Sequence, residues 1–515
     1  MLTDSSIGWP LTWAATTLFS WLLLRAIYRR RFHPLSSIPG PFWCSISTLP
    51  SFYHNFILHG QWYREIDRLH ARYGPVIRIG PNEVHLSDPA AYDKIYSNAS
   101  PFYKDPHFYH VYGMEKAMFC TIPNDLHKRR RAPLNHFFSK KAIMEYEDIV
   151  QSKVSLLCQR IEAAFSHEKD GSVDLGRAFK AMSVDIVTDY AFSSSLGLLE
   201  DADFGAWFGN MLREGAPLFW VFQQLPFTKS AVESLPASVS RRWSPAVRAW
   251  ETFIQVTNPL ITRTMLAAGI EPKRRTMFHH MLDPRVPEGR LAPSDSNPTD
   301  EAMSLTAAGA DSTGNAASFA IFHIVTDANI HKRVMTELRQ AFPDPSEECR
   351  VAVLEKCAYF VGAVKEAQRM SYGVIGRLPR KSPANTLFNG YCIPPGTTVS
   401  MSTWTMHRNP DAFPAPDTFD PARWLTQDAA QLRRMERCFV PFGRGPRMCL
   451  GHALATCELL CAVATVLRRF PHVEVLGTRK EDLVYEDYVG AVHPGAARPF
   501  KVVRGRHRLG SWGRE

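Results

Sequence analysis

The stretch from Phe439 to Ala453, FVPFGRGPRMCLGHA, sets one cysteine among glycines and arginines instead of on an apolar face. The thiolate is the metal-binding form of cysteine, and the neighbours of Cys449 would favour it. Arg447 lies two residues away. An apolar helical pattern opens just beyond, which would bring the positive end of a helix dipole to the sulfur. Gly445 and Gly451 permit positive φ and close approach of backbone amides. Phe442 could cover the sulfur and exclude water. These conditions suit a soft ligand on a haem iron, where a thiolate pushes electron density toward the metal. The other nine cysteines form no Cys-x-x-Cys pair and no regular spacing, so neither a zinc framework nor a disulfide scaffold is indicated.

Three further groupings place charges or hydroxyls at useful spacings. Glu366 and Arg369 fall at i, i+3 on one helical face, which by itself describes a surface ion pair. AAGADSTGNAAS, Ala307 to Ser318, sets Asp311 beside Ser312 and Thr313 within a long apolar helical run. Asp311-Ser312 alone could cap a helix, but an acid and a hydroxyl side by side can also disturb the helix ladder and hold water. LHKRRRAPLNHFFS, Leu126 to Ser139, contains a basic run that alone would pass for a nucleic-acid or nuclear-targeting patch. Leu134, Phe137 and Phe138 instead recur as on an amphipathic helix.

The elements that must position these groups are mainly helical. The chain has 515 residues, 45% apolar and 21% charged, ample for a large core. Tyr73 to Ser87 reads as a hairpin, Asn124 to Phe342 as mostly helix with polar loops over 283–298, and Tyr391 to Ser400 as strand with a Pro-Gly turn. Helix resumes over Leu450 to Phe470, and short strands follow from Val473. There is no βαβ alternation and no G-x-G-x-x-G after a strand, so no nicotinamide or flavin domain is indicated. Residues Ile7 to Leu24 are 18 in a row without charge, followed by Arg25, Arg29, Arg30 and Arg31. The expectation is an uncleaved membrane anchor over 1–24, a basic and Pro-rich linker over 25–41, and a cytosolic catalytic domain over 42–515. The net charge of +10 suits an acidic partner or a membrane surface.

F-x-x-G-x-R-x-C-x-G is matched by Phe442, Gly445, Arg447, Cys449 and Gly451, with Ala455 at the family's later alanine. The chain thereby resembles the cytochromes P450. That resemblance implies the cytochrome P450 fold, mainly α with a minor β part, and a haem b whose axial ligand is Cys449. Arg423 in DTFDPARW would complete a structural lock with Glu366 and Arg369. Asp311 and Ser312, with Thr313 following, would relay protons to bound dioxygen, and Ala308 and Gly309 would leave room over the iron. Ser312 stands where the family usually has threonine. His127 and Arg131 match a basic helix that pairs with haem propionates in the fungal branch, and Arg380 and Arg447 match further propionate contacts. Phe102 to Phe119, Phe204 to Phe227, Met303 to Ala308, Gly373 to Arg377 and Tyr488 to Val492 would line the distal pocket, with the aromatic 204–227 stretch either core or an access lip at the membrane.

The implied activity is hydroxylation or epoxidation of a hydrophobic small molecule, with a fungal terpenoid or polyketide as the expected class. Electrons would come from NADPH through NADPH-cytochrome P450 reductase at the endoplasmic reticulum, with cytochrome b5 a second candidate donor. Arg433, Arg434 and Arg437 are candidate docking residues, and no nucleic acid is expected. Two alternatives stand beside this: a haem-thiolate isomerase or dehydratase needing no reductase, and a non-catalytic haem-binding protein.

Overall fold

The computed structural model describes residues 8–167, 171–267, 276–282, 297–495 and 497–505. Most of the anticipated loop over 283–298, like Ile7 and the last ten residues, lies outside them. The architecture is a helical body with small sheets at its edges. Helix α1, Gly8–Ile27, precedes the body. Helices α2 (Asn124–Phe137), α3 (Lys140–His167), α4 (Leu175–Phe192), α5 (Ala206–Gly215) and α6 (Leu218–Gln224) lead to a 29-residue helix α7, Pro298–Thr326. Helices α8 (Ala358–Ser371) and α9 (His452–Arg469) follow it. The hairpin expected near Tyr73 is β1 (Val76–Gly80) and β2 (Glu83–Leu86). They join β3 (Tyr103–Lys104), β4 (Arg380–Lys381) and β5 (Thr398–Ser400) in a mixed sheet of order β1–β2–β5–β4–β3. Late strands β6 (Glu486–Tyr488) and β7 (Gly490–Val492) form a separate hairpin.

Helix α7 begins where Asn297 caps the Thr299 N–H, with Pro298 in the first turn and Asp300 and Glu301 complementing the dipole. From Thr313 to Ile324 every residue is buried, as expected of a helix wrapped by α4, α8 and α9. Gly309 and Gly314 set its distance from α4. A Cβ at Gly309 would stand 2.7 Å from Val187 Cγ1, and one at Gly314 would stand 2.7 Å from Lys180 Cγ. Gly309 therefore serves helix packing against α4.

Helix α1 covers the uncharged N-terminal stretch, and its residues from Thr12 on are almost all exposed. Even so, no helix among the described residues is long and apolar enough to cross a membrane. The expected spanning anchor is not supported, because Thr12, Thr16, Thr17 and Ser20 interrupt the apolar run. Thr16 and Thr17 turn their hydroxyls back onto the helix, each 2.8 Å from the carbonyl four residues earlier.

Candidate active site

Cys449 lies between a 3-10 turn, Gly445–Arg447, and the first turn of α9. Its N–H donates to Phe442 O at 2.8 Å, which closes the loop. Gly445 has φ +69, and a Cβ there would come within 2.1 Å of Tyr96 O, so this position demands glycine. Gly451 differs from expectation. It has φ −83, and its contribution is a backbone N–H directed at the Cys449 sulfur.

Cys449 is exposed, yet burial is the main force raising its thiol pKa. The Gly451 N–H and the Arg131 guanidinium oppose the rise. Arg131, not the nearer-in-sequence Arg447, is thus the cation that acts on the sulfur. Cys461 contrasts with this in exposure and in partners. It is fully buried within α9, accepts a bond from Gln151 Nε2 at 3.2 Å, and has its pKa driven far up by the neighbouring Cys457 and by burial.

On α7, Ala308 and Ser312 are exposed within a helix whose flanks are buried. One turn apart, they share a face. Ser312 Oγ donates to Ala308 O at 3.1 Å. Asp311 points elsewhere and pairs with Lys180 of α4 at 2.5 Å. Lys180, Asp311, Arg177, Arg213 and His493 line a small cavity between α4, α5 and α7. Because Ser312 bonds along the helix and Asp311 bonds outward, neither disrupts the ladder. The helix stays continuous through Ala307 to Ser318, against the expected distortion. Thr313 is buried and turned away from the Ala308–Ser312 face, so the accessible hydroxyl is Ser312 alone of the two.

Four cations and a histidine converge beneath the 114–121 loop. Arg447 donates to Thr121 O at 2.6 Å, Ile122 O at 2.8 Å and Asn124 Oδ1 at 3.0 Å. Arg131 donates to Met448 O at 2.6 Å, and Arg380 to Tyr109 Oη at 2.9 Å. Lys104 donates to Phe119 O and lies 4.1 Å from the Tyr109 ring centre. Lys104 and Arg380 are register partners across β3 and β4. Like charges placed directly opposite each other are destabilising. Burial, then Arg380, pushes the Lys104 pKa well down. Burial, then Arg380, lowers Arg447 to about 9. His127 is buried, and burial with Arg447 and the other cations pushes its pKa down to about 2. The hydrogen-bond acceptors found for these four cations are carbonyls and neutral side chains. Such a cluster is complemented by an anion bearing more than one charge, and the two propionates of a haem fit it. Sequence reasoning missed Lys104, since no local pattern ties it to Arg380.

Glu366, Arg369 and Arg423 meet in the buried cluster that the family resemblance implied, where the spacing alone described a surface ion pair. Glu366 and Arg369 are both 0% exposed and share a two-point contact, Nε–Oε2 3.0 Å and Nη2–Oε1 2.8 Å. Arg423 Nε reaches Glu366 Oε1 at 2.8 Å. Trp424 Nε1 donates to Oε2 at 3.0 Å, a fourth member that the sequence reading left unassigned. Of the candidate docking residues, Arg437 is engaged by Asp93 at 2.6 Å, and Arg434 Nη2 is held by Gln431 Oε1 at 2.6 Å. Arg433 is exposed. The aromatic stretch divides: Phe219, Trp220 and Phe222 are buried against Phe108 and Tyr109, whereas Phe227 is 68% exposed.

The family model described as Cytochrome P450 matches residues 39–494. A cytochrome P450 monooxygenase of Penicillium terrestre is 33% identical over 92% of this chain and 94% of its own length. Conidiogenone synthase of Penicillium rubens is 33% identical over 90% of this chain and 93% of its own. An N-acetyltryptophan 6-hydroxylase of Emericella nidulans is 32% identical, covering 92% and 93%. The chain belongs to the cytochrome P450 family and is a haem-dependent monooxygenase with a cysteine thiolate on the iron.

Proposed function

We propose that Cys449 is the iron ligand and that Arg131, Arg380, Arg447 and Lys104 hold the two propionates, with His127 as a further donor. The observation that carries this is an accessible, deeply set thiol beside a cation cluster without a bonded carboxylate. A haem held by these residues would supply dioxygen activation, in which two electrons and two protons reduce one oxygen atom to water while the other goes to the substrate. Ala308 and Ser312 form the helix face on the oxygen side, where the small Ala308 side chain leaves room and the Ser312 hydroxyl holds a proton near the reacting atoms. Asp311 takes protons from the cavity it shares with Lys180 and passes them to the Ser312 side. Serine keeps the hydroxyl this requires while losing the methyl that would fix its rotamer.

The substrate is an apolar small molecule of fungal secondary metabolism. Relatives named as a conidiogenone synthase and an N-acetyltryptophan 6-hydroxylase support a small-molecule substrate of this kind. Product formed under isotopically labelled dioxygen, with NADPH and a fungal reductase, is expected to carry one labelled oxygen. Unlabelled product formed without reductase would instead place the chain with the isomerases and dehydratases. The electron donor is NADPH-cytochrome P450 reductase, docking on the exposed basic surface that includes Arg433, with cytochrome b5 able to use the same face.

Asp311→Asn is expected to lower kcat by about 100-fold, the usual scale of a lost proton-transfer group, with haem content unchanged. Equal rates in the two proteins would remove Asp311 from the relay.

The chain attaches to the endoplasmic reticulum membrane with its body in the cytosol. Helix α1 supports this, together with an apolar rim of Phe42, Trp43, Leu49, Tyr53 and Phe227, each at least half exposed. Gln224 Nε2 reaches Thr48 Oγ1 at 2.8 Å, which brings the two parts of the rim together. Such a surface suits seating in the interface. Removing residues 1–27 spares Arg29, which bonds Ile46 O. That deletion is expected to release most of the protein from microsomes with haem intact. Full retention would assign attachment to the rim alone.

A further inference from the structure

Four arginines fall within seven residues at the end of α1: Arg25, Arg29, Arg30 and Arg31. A helical turn, Tyr28–Phe32, joins α1 to the body. The body holds this turn in place. Arg29 Nη1 donates to Ile46 O at 2.5 Å. Arg78 of β1 lies against the turn at 1% exposure and donates to Arg29 O at 2.9 Å and to Pro81 O at 2.7 Å. These acceptors are carbonyls, which carry no charge to offset the guanidiniums. Among the described residues, no carboxylate pairs with any of the five arginines.

The charges acting on this cluster are all positive. Burial, then Arg29 and Arg30, lowers the Arg78 pKa to about 10. Burial, then Arg78 and Arg29, lowers that of His33. Burial, then Arg25, lowers that of Arg29. Anions from outside the fold would relieve this repulsion.

The surroundings of the turn select among anions. Arg30 and Arg31 are exposed, and Phe32 beside them is 73% exposed. Trp21, Leu23 and Leu24 of α1 are each at least half exposed, and the Arg25 guanidinium lies 4.8 Å from the Trp21 ring centre. The Arg29–Ile46 bond ties the turn to the short helix Phe42–Ile46, which carries Phe42 and Trp43 of the apolar rim. Charge and apolar surface therefore adjoin on both sides of the turn. A nucleic acid or a soluble phosphate would meet only the charge, whereas a phospholipid presents phosphate above acyl chains. A zwitterionic headgroup brings an ammonium of its own, so a net-negative headgroup is the better complement. No helix among the described residues is long and apolar enough to cross a membrane. A helix seated in the interface gains affinity from apolar area and from attraction to acidic lipids together.

We propose that the basic turn over residues 25–31 is an acidic-phospholipid site, which directs the protein to membrane surfaces rich in net-negative headgroups. This rests on the membrane-attachment reading above. It goes further in naming the lipid class and the residues that select it.

The test is sedimentation of the haem-loaded full chain with vesicles of phosphatidylcholine alone or of a two-to-one mixture of phosphatidylcholine and phosphatidylserine. Wild type is expected to bind the mixture about 100-fold more tightly, the scale of the three exposed arginines, Arg25, Arg30 and Arg31, near an acidic surface. High salt should erase the difference. Arg30→Gln combined with Arg31→Gln removes two exposed charges that make no side-chain bond among the described residues. The preference is expected to fall below about tenfold while binding to phosphatidylcholine holds. A wild-type preference near one overturns the proposal, and so does an undiminished preference in the variant. Arg433→Gln combined with Arg434→Gln is the comparison. An equal loss there overturns the proposal too, because that pattern marks attraction by the overall charge of +10. Failure of the attachment reading is separate, since wild type would then ignore phosphatidylcholine and still sediment with the mixture. Sedimentation with neither vesicle overturns both.

Discussion

Glu366→Ala is expected to yield little or no folded, haem-loaded protein. The carboxylate accepts from two guanidiniums, from the Trp424 indole and from the Asp420 N–H at 3.2 Å. Its removal leaves Arg369 with no counter-charge at 0% exposure. Breaking a buried pair from one side costs about 3–5 kcal/mol, against a total stability of about 5–15 kcal/mol for a typical domain. Arg369 retains His407 O at 3.0 Å and Pro416 O at 2.8 Å, so the backbone is held, but the charge is not compensated. The lock ties α8 to the segment from Pro414 to Trp424, and its loss should loosen the wall from which the cysteine loop is hung. Lys140→Ala is the control. Its partner Glu355 is 41% exposed, and an exposed pair of this kind contributes about 0–1 kcal/mol. Thermal melts of the two variants check the contrast, and similar melting points would show that the buried cluster is not a structural keystone.

Cys449→Ser is expected to abolish monooxygenase turnover without unfolding the chain. The residue's structural bond is its backbone N–H to Phe442 O, which serine keeps. The glycine turn at Gly445 is untouched by the change. What is lost is the sulfur, the soft ligand that drives the chemistry. A variant that retains wild-type turnover would mean that another residue ligates the iron. Cys461 is poorly placed for that role, being fully buried in α9 and already bonded to Gln151.

The parts legible in the sequence were those fixed at short range. The cysteine loop is one run of ten residues, so its turn, thiol and following helix could be read together. The lock was legible only through the family resemblance, since the i, i+3 spacing of Glu366 and Arg369 alone describes a surface pair. Groups joined across the fold were not legible. Lys104 opposes Arg380 only because β3 pairs with β4, and Lys180 meets Asp311 only because α4 packs on α7. The packing role of Gly309 was not legible, because a glycine required by a neighbouring helix looks, in sequence, like one required by a ligand. Thr313 was grouped with Ser312 by adjacency, although neighbouring helix positions point about 100° apart. The N-terminal helix was recognised but overvalued, since the absence of charge is not the same as hydrophobicity.

The central claim is that Cys449 ligates a haem iron. The most direct measurement is the absorption spectrum of the reduced, carbon-monoxide-bound protein, compared with that of Cys449→Ser. The account predicts a strongly red-shifted Soret band in the wild type that disappears in the variant. An unshifted wild-type band, or a shifted band that survives in Cys449→Ser, would contradict it.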